Sequence, residues 1–462
     1  MITSWRPELL FVEGEFRGGL ALDCDEAGNI VFVGPDESAS TENIQRLPGR
    51  ALLPGMIDVH SHSFQRALRG RAESRRRSGP DFWSWRNTMY RCALALTPEE
   101  IYDVARMAFL EMLLAGITSV GEFHYLHRTA TGDPYADPNL LAKQVIRAAN
   151  DVGIRIVLLN CAYARAGHNL PPDPGQVRFI ETDPDQFLHT AEALMTCKDT
   201  AHPTVTFGIA PHSIRAVPKG YLDRIATWTQ ARNLPLHMHV AEQPAEIAAC
   251  RAEYNRTPFE LLDELNILDQ NFTAVHAIHL EDTEVARVGR AAITIAACGT
   301  TERNLGDGIL RANDLLAAGA SIACGTDSHC QTDALENARE LETNLRLRDL
   351  ERAVLDDAHG HPLSNLLFEF LTLAGARSLH LNAGTLQAGK AADFIAIDLD
   401  DTALAGSLPQ ELLTNLVLSA SPRCITDVIV AGKRVVDRRQ HPDVQEILGA
   451  FRRVQQRLGA AL

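Results

Sequence analysis

His60 and His62 end a short apolar run, ALLPGMIDVH, and five later runs end in the same kind of chemistry. ITSVGEFHY brings His124 and Tyr125, TVTFGIAPH brings His212, LPLHMHVAE brings His239 and Glu242, FTAVHAIHL brings His276, and SIACGTDSH brings Asp327. Seventeen histidines in 462 positions give about 0.6 H-x-H pairs by chance, and three occur, so the motif alone decides nothing. On a strand, however, positions i and i+2 share a face, so His60 and His62 aim at one point. With His239 and Asp327 they make three neutral imidazoles and a carboxylate, a donor set suited to Zn²⁺ or Fe²⁺ that leaves a position for water. Glu242 and His276 then stand beside that water as a proton-handling pair, with Asp327 sharing the work. His237 shares the strand face of His239 one layer deeper and reads as a packed core residue, with an outer-sphere hydrogen-bonding duty as the alternative. The His359/His361 pair lies outside any strand-like run and reads as a solvated loop.

The elements that must gather these residues are legible in the same runs. Between about residues 51 and 330 eight strand-like runs alternate with amphipathic segments such as TPEEIYDVARMAFLEMLLAG, whose Glu99 and Glu100 suit a helix N-terminus. That pattern predicts an α/β protein with a parallel sheet, and the count of eight favours a closed (β/α)8 TIM-like barrel, whose strand C-termini form the active-site mouth. An open doubly wound sheet is the rival, weakened by the lack of a G-x-G-x-x-G after the first run. Residues 1–50 and 381–462 read as short strands and predict a small composite β-sandwich-like domain built from both chain ends, beside a catalytic barrel over 51–380.

Composition narrows the function. A 462-residue chain with 45% hydrophobic positions has a core of its own, and a formal charge of -15 argues against a nucleic-acid partner. Nine scattered cysteines without a C-x-x-C pair point to a reducing compartment. With no signal-like start and no apolar run near 18 residues, the expectation is a cytoplasmic protein with no membrane partner.

The combination LLPGMIDVHSH, HVAE, VHAIH and GTDSH, followed by AGKAADFIAIDLD and DVIVAGKRVV, resembles the deaminase and chlorohydrolase branch of the amidohydrolase superfamily. The resemblance implies one divalent ion, zinc before iron, on His60, His62, His239 and Asp327, without a bridging carbamylated lysine. It also implies proton transfer by Glu242 and His276, and a homodimer. The segments HSHSFQRALRG, DFWSWRNTMYR, GEFHYLHR, HSIRAV and NLGDGI resemble more narrowly the formimidoylglutamate deiminases, which hydrolyse N-formimino-L-glutamate to N-formyl-L-glutamate and ammonia in histidine degradation. By that match Gln65, Arg86, Tyr125, His212 and Arg215 contact the small anionic substrate. Its two carboxylates independently call for planar, bidentate arginines. Two features depart from the family pattern: Thr301 and Arg303 in CGTTERNLGDG stand where smaller residues are expected, and RAESRRRSGP is unusually basic. Two other readings compete. A deaminase of guanine, cytosine or a related heterocycle needs amide-type readers rather than two arginines, and a non-catalytic metal-binding scaffold needs neither Glu242 nor His276.

Overall fold

The computed structural model describes residues 1–73, 82–356 and 362–461. Residues 74–80 of the basic RAESRRRSGP stretch and the His359/His361 pair lie outside the described residues.

Strands β1 (Thr3–Val12), β2 (Glu15–Gly18), β3 (Leu20–Cys24), β4 (Ile30–Pro35) and β5 (Asn43–Pro54) come first. Eight more alternate with helices: β6 (Met56–Ser61), β7 (Ile117–His124), β8 (Arg155–Ala162), β9 (Val205–Pro211), β10 (Leu236–Val240), β11 (Phe272–His276), β12 (Thr294–Ala297) and β13 (Ser321–Cys324). These eight lie side by side in chain order, all parallel, and an isolated bridge between Ser61 and Asp327 joins the last to the first. The expected (β/α)8 barrel is therefore present. Helices cover the outer face of its strands, so β7 and β8 are buried at every position, and they read as continuous apolar runs rather than alternating ones. The helix Pro98–Leu114 begins where Glu99 and Glu100 suggested, on a reciprocal cap: Thr97 Oγ1 accepts from Glu100 N at 3.2 Å and Glu100 Oε2 accepts from Thr97 N at 2.9 Å.

The chain ends build a second, mixed sheet. Its order is β16-β15-β14-β5-β1-β3-β4, with β2 on β1, where β14 is Phe394–Asp398, β15 Ile425–Val430 and β16 Lys433–Val436. N- and C-terminal segments meet at the antiparallel β5/β14 ladder, over a core of Trp5, Leu22, Leu52, Phe394 and Ile429. The Arg155 guanidinium at the foot of β8 clamps Asp393 at 2.6 Å and ties this sheet to the barrel. The run ALLPGMIDVH, read as one barrel strand, is in fact two strands in two sheets, parted at Gly55. A Cβ there would lie 2.2 Å from Thr118 Oγ1, so only glycine lets the chain cross between the sheets. The C-terminal segment also holds helices, Pro409–Ser419 and Val444–Ala461, and the second packs on the barrel helix Pro98–Leu114, where Arg106 pairs with Glu446. Among the described residues no helix is long and apolar enough to cross a membrane, and the nine cysteines are unpaired.

Candidate active site

The barrel strands deliver their ends to one point. His239 Nε2 lies 3.1 Å from His60 Nε2 and 3.4 Å from His62 Nε2, while Asp327 Oδ1 lies 3.5 Å from His60 Nε2 and 3.3 Å from His62 Nε2. All four residues are buried, and they form one group with the spacing of metal ligands. A tetrahedral ion with arms of ~2.05 Å has ligand–ligand edges of about 3.3 Å. The ring tautomers agree with that use. His62 Nδ1 lies 2.9 Å from the Phe123 carbonyl and His239 Nδ1 2.9 Å from the His212 carbonyl. A carbonyl only accepts, so each Nδ1 carries the hydrogen and each Nε2 turns its lone pair inward. Burial and neighbouring imidazoles hold His60 and His62 well below the usual histidine range and bring His239 to about 4. The Nε2 lone pairs of His62 and His239, turned to one point beside His60 Nε2 and an Asp327 oxygen, are balanced by a cation lying between them, and that is the fit test these residues pass.

Backbone strain aims the loops. Ala241, His276, Ala277 and Asp327 all adopt positive φ, between 53° and 73°, at the ends of β10, β11 and β13. Such turns cost non-glycine residues energy and collect where geometry serves function. Beneath the first ligand pair, Glu122 on β7 accepts from Ser61 Oγ at 2.6 Å, from Ser63 Oγ at 2.6 Å and from Ser63 N at 2.8 Å, gripping the chain on both sides of His62.

Glu242 and His276 face the cluster, with Glu242 Oε1 3.7 Å and Asp327 Oδ2 3.8 Å from His276 Nε2. Burial alone would keep His276 neutral, but Glu242, Glu302 and Asp327 outweigh it and lift it to about 10. Burial lifts Glu242 to about 6, with His276 pulling the other way. Glu302, unforeseen in the sequence, lies 3.2 Å from His276 Nδ1 and orients the ring.

Gln65, Arg86, Tyr125, His212 and Arg215 all line one cavity with His62, His239, Glu242, His276 and Asp327. Gln65 Nε2 donates to Tyr125 Oη at 2.9 Å, and Arg86 lies over the Tyr90 ring at 5.3 Å. His124, one residue before Tyr125, packs against His127 instead. His237 bonds the Ser378 carbonyl at 3.1 Å, deep in the core, as its position one layer down suggested. Thr301 ties its helix to the Asp327 loop, 3.0 Å from the Thr326 carbonyl and 2.9 Å from Ser328 Oγ. Arg303 pairs with Glu340 and Glu336 on the outer helix Ala334–Asp349, so it does not narrow the cavity; Leu305 lines it instead.

The cavity wall also holds Tyr90, Tyr163, Ser213 and Glu246, which the sequence reading did not name. Tyr163 had a signal: it follows β8 as Tyr125 follows β7. The strand before it ends in Asn160, Cys161 and Ala162, without the histidine that ends β7.

Comparison with known proteins agrees with this architecture. The amidohydrolase family profile matches residues 51–435. Formimidoylglutamate deiminase of Pseudomonas aeruginosa is 37% identical over 454 residues, covering 98% of each chain. A 5-methylthioadenosine/S-adenosylhomocysteine deaminase of Natronomonas pharaonis is 25% identical, over 98% of this chain and 96% of its own. Among solved structures, an amidohydrolase from Brucella melitensis superposes with a TM-score of 0.89 at 30% identity, covering 99% of both chains. With the profile spanning most of the chain and the barrel, strand-end histidines and closing aspartate in place, the chain belongs to the amidohydrolase family.

Proposed function

We propose that this protein hydrolyses N-formimino-L-glutamate to N-formyl-L-glutamate and ammonia, as a step of histidine degradation, with a zinc ion held by His60, His62, His239 and Asp327. The observation that carries the reading is one cavity lined both by ligand residues with Glu242 and His276 and by two guanidinium groups, Arg86 on Tyr90 and Arg215 on Tyr163. The P. aeruginosa relative supports the substrate. Imidazole and carboxylate donors in a tight, buried set suit zinc. Unpaired cysteines support a cytoplasmic location, and the motif resemblance supports a homodimer. We also read 51–380 as the catalytic unit and the two chain ends as its companion.

When bound, the divalent ion supplies Lewis acidity that makes water acidic and polarises the C=N bond. Hydrolysis adds one water to HN=CH–NH–R and releases NH₃, leaving O=CH–NH–R, so both water hydrogens end on the departing nitrogen. Glu242 is the group suited to move them, because a carboxyl at about 6 both takes and gives a proton near neutral pH. Asp327 assists the first deprotonation, while His276, held by Glu302 and charged near neutral pH, orients the water as a donor. Gln65, Tyr125 and His212 hold the formimino end beside the ligands, and Arg86 and Arg215 take the carboxylates.

Ammonia release from N-formimino-L-glutamate, formiminoaspartate and guanine, with metal content measured in parallel, tests the reading. Turnover of the first compound well above the other two is expected. Guanine as the preferred substrate, or no release by metal-replete protein, sinks it.

A further inference from the structure

Gln176 follows β8 in a short turn, Pro174–Gln176, is only 1% exposed, and reaches two phenols at once. Its Nε2 lies 2.7 Å from Tyr90 Oη and 2.9 Å from Tyr163 Oη. Both tyrosines line the cavity, whereas Gln176 stands behind them. An amide nitrogen has two hydrogens and no lone pair to offer, so both phenolic oxygens accept from it. Tyr163 Oη accepts a second time, from Arg215 Nη1 at 3.2 Å. With both lone pairs used, its own hydrogen is left to point at the cavity, and the Tyr90 hydrogen is excluded from the Gln176 side in the same way.

Arg215 has neutral partners, Tyr163 Oη and the Ala166 carbonyl at 2.9 Å, both reached through Nη1. Its Nε and Nη2 remain for a ligand. On this wall Tyr90, Tyr163 and Arg215 therefore turn hydrogens toward the cavity, and Arg215 is hydrogen-bonded to no carboxylate, although Glu246 of the same cavity lies close enough to act on its charge; a half-buried guanidinium so placed can take an anion.

We propose that Gln176 is a positioning residue that sets the polarity of this wall, turning Tyr90 and Tyr163 into donors that join Arg215 around one substrate carboxylate. The inference rests on the reading of the substrate as a dicarboxylate. Gln176→Glu keeps the shape but offers an acceptor, drawing both phenolic hydrogens away from the cavity. Gln176→Met keeps the volume and imposes no polarity.

Steady-state kinetics with N-formimino-L-glutamate and calorimetric titration with glutarate, a dicarboxylate that needs no turnover, test this. Gln176→Glu is expected to raise KM about 20-fold or more, to weaken glutarate by a similar factor and to spare kcat, with Gln176→Met losing clearly less. Equal losses in the two variants, or losses confined to kcat, overturn the proposal. If Gln176→Glu does not fold, Tyr163→Phe removes one donor without changing packing. Its unchanged glutarate affinity overturns the proposal, and a loss of about fivefold or more supports it. Wild-type protein that binds no glutarate also overturns it. Glutarate binding without ammonia release from N-formimino-L-glutamate would fell only the substrate reading.

Discussion

The backbone N–H of Asp327 donates to the His60 carbonyl at 2.9 Å, and the His62 N–H returns to the Asp327 carbonyl at 3.0 Å. The hydrogen bonds that close the barrel thus join three of the four residues in the ligand cluster. Closure and ion binding share one seam.

Gly325 keeps that seam tight, because a Cβ on it would lie 2.8 Å from His60 Cβ and 2.9 Å from the His60 carbonyl. Gly325→Ala forces β6 and β13 apart and is expected to cost about 1–3 kcal/mol of stability together with most of the bound metal. Elemental analysis and a thermal melt check this. Full metal content at an unchanged Tm would remove the seam from the argument.

Glu242→Gln keeps the shape and removes the titration. Turnover should fall about 100-fold or more with metal retained. The carboxylate form prevails above its value of about 6, so wild-type kcat/KM should decline as pH falls through 6, and the residual activity of the variant should lack that limb. A pH–rate profile decides, and near-normal kcat in Glu242→Gln refutes the assignment.

Arg215→Ala should act on affinity. Truncating a charged donor to a carboxylate costs about 2–3 kcal/mol, so kcat/KM for the dicarboxylate should drop roughly 30- to 150-fold. Unchanged kinetic constants would take Arg215 out of the substrate site.

Arg178 is a guanidinium only 1% exposed, answered by dipoles rather than by a carboxylate. It donates to the carbonyls of Arg128 at 2.9 Å and Leu96 at 2.7 Å, to that of Ala93, and to Tyr135 Oη at 3.3 Å. Arg178→Met strands those carbonyls and should destabilise the fold by about 3 kcal/mol. Since Ala93 lies in the last turn of the helix Phe82–Ala95 that carries Arg86, KM should rise as well. Urea denaturation with wild-type stability would contradict this account.

The ligand cluster and the barrel could be read from the chain because both follow from local pattern. Strand ends converge in a (β/α)8 barrel whatever the loops do, so histidines placed there need no further knowledge to be gathered. Tyr90, Gln176 and Glu302 could not be found that way. They arrive from a helix before β7, a turn after β8 and a helix after β12, and only packing shows that they meet the site. The single strand expected over ALLPGMIDVH failed for a related reason. Apolar continuity hides a change of sheet, and the one mark of it is Gly55.

The Arg50–Asp398 ion pair, 2.6 Å long, sits on the β5/β14 ladder and spans 348 positions of sequence. At ~10 residues per second, roughly half a minute separates the synthesis of β5 from that of its partner. All eight barrel strands leave the ribosome in that interval, while the edge of β5 waits uncovered. A nascent chain of this protein is therefore still exposed to edge-to-edge aggregation when all its barrel strands have been made.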